Sequence, residues 1–183
     1  MKFVFVWLTL AAATLAEIRA DKLVEAARRQ IGVTTRYDPT YRKFAYPNGD
    51  VPQQTGVCCD VVIRAFRAQG LDLQVAVHED MQKNFRVYPA RWGLKKPDAN
   101  IDHRRVPNLM TYFTRQGWAV GTNQFLAGDI VTWDVGQNTP HIGIVSDQRN
   151  AKGTPLVIHN IGAGTQEEDA LFNFTITGHF RLK

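Results

Sequence analysis

Cys58 and Cys59 are the only cysteines in this chain of 183 residues, and they are neighbours. Adjacent Cα atoms lie about 3.8 Å apart, below the roughly 4.4–6.8 Å of a relaxed disulfide, so at least one thiol stays free. A thiol can pack as a small apolar group, pair with another chain, or attack a carbonyl as thiolate, and the last use requires a lowered pKa and a base. His78, His103, His141, His159 and His179 are the candidate bases. Two stand apart. His141 opens the run His-Ile-Gly-Ile-Val after Pro140, and His159 ends the run Leu-Val-Ile-His before Asn160. If these runs are paired antiparallel strands, the two imidazoles come close, one as base and the other as the group that orients it. Alternation puts His141 on the face of Gly143 and Val145, and Gly143 is expected to leave open space beside the ring.

The elements that must hold these groups follow from periodicity. A helix is expected over 22–30, capped by Asp21 and ended by Gly32, and a second over 58–69, with Thr55 as cap and Gly70 as terminator. This puts both cysteines in the first turn of a helix, where free backbone N–H groups and the dipole lower a thiol pKa. The two side chains leave the axis roughly 100° apart, so both do not face one cleft equally, and periodicity does not choose between them. Residues 34–55, rich in Tyr, Pro, Asn, Gly and Asp, read as an ordered loop beside the site. Further helices are expected over 78–84 and over 106–116, the latter with Pro107 near its start and Gly117 closing it. The period then changes to short β-branched or aromatic runs at 118–120, 130–133, 142–145, 156–158, 172–176 and 179–182. Helices first and strands later imply an α+β domain with a largely antiparallel sheet.

The ends and the bulk composition bound the setting. Met1-Lys2, the apolar run from Phe3 to Ala16 and the small residues Ala16 and Ala20 read as a secretory signal peptide over residues 1–20. About 14 apolar residues fall short of the ~20 that span a bilayer, so no stable transmembrane anchor is expected after cleavage. Residues 21–183 then form one domain with a real core. Loss of Lys2, Glu17 and Arg19 takes the formal charge from +5 to +4, which suits anionic wall polymer or lipid head groups as well as ordinary solubility. Export, and the lack of a basic run longer than a pair such as Arg104-Arg105, argue against nucleic acid as partner.

Taken in order, the cysteine at a helix start, Ala127-Gly128-Asp129-Ile130-Val131, His141-Ile-Gly-Ile-Val and Val157-Ile-His159 resemble the NlpC-type papain-like cysteine peptidases. Over nearly the whole chain the runs Gly56-Val-Cys-Cys-Asp-Val-Val-Ile-Arg-Ala, His78-Glu-Asp-Met, Asn100-Ile-Asp-His-Arg-Arg-Val-Pro-Asn and His159-Asn-Ile-Gly resemble the YijF-like group of exported bacterial proteins. The peptidase resemblance implies a small papain-like α+β domain that cuts peptide bonds in bacterial cell walls. It assigns Cys58 as nucleophile, His141 as base and His159 as the orienting group, with Asn160 as runner-up and Tyr37 bordering the substrate. In that pattern Asp usually precedes the cysteine and Ser-Gly follows it, whereas here Val57 precedes and Cys59-Asp60 follow. A carboxylate at Asp60 raises the thiol pKa if it points inward; the plainer expectation is that it satisfies the helix's first turn.

Other polar groups are expected to be structural. Gly128-Asp129 reads as a turn into a strand, and His78-Glu79-Asp80 and Asp102-His103-Arg104 as solvated segments without metal-ligand spacing. The leading expectation is an exported or periplasmic thiol hydrolase acting on an amide bond of peptidoglycan or its peptide fragments, with no cofactor and no metal. The alternative is a non-catalytic exported binding or scaffolding protein that keeps the papain-like shape. A metal site built from the cysteines and His141 ranks third.

Overall fold

A computed structural model describes residues 18–121 and 123–183. The expected signal segment lies almost entirely outside the described residues. Among those described, no helix is long and apolar enough to cross a membrane. Helices α1 (Ala20–Arg28), α2 (Cys58–Arg67), α3 (Leu73–Asn84) and α4 (Val106–Arg115) precede a five-stranded sheet. Its strands are β3 (Ile130–Asp134), β4 (Pro140–Arg149), β5 (Pro155–His159), β6 (Gln166–Glu168) and β7 (Thr175–Phe180), in the order β6-β5-β4-β3-β7 and antiparallel throughout. A two-residue parallel ladder joins β1 (Arg36–Tyr37) to β2 (Thr55–Gly56) and closes the 34–55 loop against the start of α2. The α+β expectation therefore holds.

Helix α2 is the centre of the molecule. Every residue from Cys58 to Phe66 is buried, with α1 on one side and β4 on another. Such a helix derives its stability from tertiary packing more than from propensity, and its β-branched Val61, Val62 and Ile63 are tolerated for that reason. Sheet alternation sends Ile142, Ile144 and Ile158 into this helix-facing core, and Val145, Val157 and Trp133 into a second cluster with Phe125 and Leu171 on the opposite face. Phe66, Phe113 and Trp118 stack with ring centroids 5.4–6.0 Å apart and lock α2 to α4.

Several expected details are corrected. Helix α1 starts at Ala20, with Arg19 in the cap position and Asp21 in the first turn. Thr55 does not cap α2; it sits in β2 and donates to the Pro52 carbonyl, while Asp60 reaches back to accept the Val57 N–H at 2.6 Å. Helix α3 begins five residues before the expected start, because Asp72 caps it by accepting the Gln74 N–H. Residues 118–120 make one bridge, Ala119 to Phe180, rather than a strand. The two runs expected at 172–176 and 179–182 merge into β7, and β6, with the polar sequence Gln-Glu-Glu, gave no strand signal. The segment Asp102-His103-Arg104 is buried rather than solvated.

Candidate active site

Cys58 is the first residue of α2, and β4 begins beside it. Its thiol lies at one end of a cavity of about 200 Å³ lined also by Tyr37, Trp92, Arg104, Arg105 and Pro140. His141, on β4, is buried under the edge of Trp133, with ring centroids 5.8 Å apart. His141 Nε2 lies 2.8 Å from His159 Nδ1, and His159 Nε2 lies 2.9 Å from Glu168 Oε2. The carboxylate of Glu168 can only accept, so His159 carries its proton on Nε2 and presents Nδ1 as acceptor. His141 must then donate from Nε2, which leaves its Nδ1 for the thiol. The four side chains form one directed chain, Glu168 to His159 to His141 to Cys58.

The electrostatics run the same way. The Cys58 thiol is lowered to about 5, first by a hydrogen bond from the Cys59 thiol, then by the hydrogen bond and charge of His141 and the Ile142 N–H, all against the opposing effect of burial. Cys59 shifts upward, because burial disfavours its thiolate and Cys58 already holds the negative charge. Burial and the neighbouring His141 lower His159, which keeps it neutral and able to accept. Both cysteines are free thiols. The adjacent pair thus divides its work, one sulfur as thiolate and the other as its donor.

Asp60 does not point at the thiol. Arg104 clamps both its oxygens, each at 2.9 Å, and also donates to the backbone carbonyls of Asp38 and Thr40. The carboxylate thus satisfies the first turn of α2, its charge is balanced, and the same arginine holds the loop that carries Tyr37. Tyr37 is 41% exposed and lines the cavity; desolvation and the nearby Cys58 raise its pKa. Asn160 is corrected as a substrate contact: it is fully buried, donates to the Gly56 carbonyl at 3.1 Å and accepts the Gly162 N–H. It anchors the strand that leads into Cys58 and leaves His141 to His159.

Gly143 is likewise corrected. A Cβ there would stand 2.8 Å from Val157 Cγ1 and 3.0 Å from His159 Cβ, so the glycine leaves no open space. It allows β5 to approach closely enough for the two imidazoles to meet. His179 and His103 take no part: His179 bridges Asp129 and the Gly121 carbonyl, while His103 is buried beside Phe44 and shifted down to about 3 by desolvation. Among the described residues, no group of three or more His, Cys, Asp or Glu is placed to hold a metal ion. Glu168 is the residue that sequence reasoning missed. Its signal was only a polar three-residue strand that begins seven residues after His159.

The family profile described as "Domain of unknown function (DUF1287)" matches residues 24–182. The chain belongs to that family. A relative from Escherichia coli (strain K12), named "Uncharacterized protein YijF", is 55% identical over 175 residues, covering 92% of this chain and 85% of the relative. All the residues of the Cys58 site fall inside the matched span. Solved structures of NlpC1 and NlpC2 from Trichomonas vaginalis are similar at 11% and 13% identity, with TM-scores of 0.49 and 0.47. They cover 97% and 92% of this chain, which spans about half of each of them, 48% and 49%.

Proposed function

We propose that this protein is an exported thiol hydrolase of the bacterial cell envelope that cleaves an amide bond, with peptidoglycan stem peptides as its substrate class. One observation carries the reading: a thiol at a helix start, backed by the chain of His141, His159 and Glu168 and lining a cavity. Cys58 attacks the amide carbonyl as thiolate. The Cys58 and Cys59 N–H groups, at the very start of α2, stabilise the oxyanion. His141 gives its Nδ1 proton to the departing amine, and a water that it then deprotonates releases the acyl group from sulfur and restores the thiolate. His159 keeps the His141 ring in the required orientation throughout.

The departures from the peptidase pattern around the cysteine are compatible with a working thiolate. Cys59 supports the thiolate, and Asp60 is neutralised by Arg104. Purified mature protein should release fragments from isolated cell wall, Cys58→Ala should abolish release, and Cys59→Ala should keep much of it. Equal release by the Cys58→Ala protein would sink the assignment.

A further inference from the structure

The cavity that Cys58 lines is lined also by Arg105 and Trp92. The Arg105 guanidinium lies 4.1 Å over the Trp92 ring and donates from Nη1 to Asp102 at 3.1 Å. These two contacts fix its plane, and Nε and Nη2 have no hydrogen-bond partner among the described residues. Arg104, its neighbour in the same wall, has its donors committed to Asp60, Asp38 and Thr40. Arg105 therefore offers the free donors of this wall.

The charges around it favour an anion. Asp60 is matched by Arg104, Asp102 by Arg105 and Asp38 by Arg42, while Asp98, which also feels the Arg105 charge, has its oxygens occupied by the Tyr41 hydroxyl and the Asn100 amide. Arg91, Lys95 and Lys96, on the exposed segment that carries Trp92, have no ion pair among the described residues. The segment that carries Trp92 thus adds cations without an ion pair to a half-satisfied guanidinium. A planar fork held against an aromatic face suits a carboxylate, which it can bind through two parallel hydrogen bonds.

We propose that Arg105, stacked on Trp92, is a carboxylate-binding subsite beside Cys58, so that the amide to be cut carries a carboxylate a short distance from its carbonyl. This rests on the thiolate reading of Cys58 and names a feature that the substrate must have. Arg105 acts on substrate binding, not on the proton chain.

Alkylation of Cys58 by iodoacetate and by iodoacetamide tests it without a known substrate. In both reactions the Cys58 thiolate displaces iodide from the methylene carbon, and only one reagent carries a carboxylate. The ratio of the two rates, measured by mass spectrometry of the Cys58 peptide and divided by the ratio for free cysteine, should be about fivefold, the scale of a partly exposed charge pair. It should fall towards one in Arg105→Gln, recover in part in Arg105→Lys, and stay at the wild-type value in Arg149→Gln, a change at the far end of β4. In the wild-type protein it should also shrink on raising salt from about 0.05 to about 0.5 M, a readout that needs no variant. A reactive Cys58 with no preference for iodoacetate overturns the subsite alone. Inertness to both reagents overturns the thiolate and the subsite with it.

Discussion

At the scale of residues, the proposed mechanism turns on a thiol that is anionic while buried. A charge in that position survives because four donors or charges converge on it: the Cys59 thiol, His141 twice over, and the Ile142 N–H. The rate of Cys58 alkylation by iodoacetamide should accordingly fall by half near pH 5, since the thiolate is lost only as the pH drops through about 5. An inflection near the ordinary thiol value of about 8.5 would contradict this. In Cys59→Ala the inflection should move upward, and in Cys59→Ser, which keeps a donor, it should move less. The chain behind His141 is tested separately. His159→Ala should reduce turnover by about two to four orders of magnitude, and Glu168→Gln by about fivefold or less, because Glu168 is 48% exposed. If both substitutions instead raised KM and left kcat unchanged, the orienting role would be wrong.

At the scale of elements, α2 and β4 place Cys58 and His141, the proposed reacting groups, and the neighbours hold those elements still. Arg104 and Asp60 form a buried ion pair that ties the first turn of α2 to the loop carrying Tyr37. Removing one partner leaves the other charge buried, so Arg104→Ala should lose about 3–5 kcal/mol in urea unfolding. A loss below about 1 kcal/mol would mean that water reaches the pair. The cysteine helix, the α4 helix and the two histidine strands were legible in the sequence because their apolar periods are strong. Glu168 was not, because β6 carries no apolar face and becomes a strand only by pairing with β5. Asp102, His103 and Arg104 read as solvated by residue type alone, whereas Arg104 is buried by an ion pair 44 residues away in sequence. Gly143 was misread for a related reason. A missing side chain looks like room until the next strand is known to fill it.

At the scale of the whole molecule, a central helix against one face of an antiparallel sheet forms a single site at the junction of its two halves, the helical one supplying sulfur and the sheet supplying imidazoles. The same packing bears on the proposed leader. Ile18 packs on the core, the Arg19 N–H donates to Gln69 Oε1 at 2.8 Å, and the Ala20 Cβ fills the space over Gly128. Cleavage after Ala16 retains these contacts and cleavage after Ala20 removes them. A chain starting at residue 21 should be less stable than one starting at residue 17 by about 1–2 kcal/mol, and equal melting temperatures would contradict this. The most direct measurement is mass spectrometry of purified cell wall after incubation with the mature protein. The account predicts new fragments in the wild-type sample, the two from each cut bond together heavier than their parent by one water, and none with Cys58→Ala; identical fragments in the two samples would contradict it.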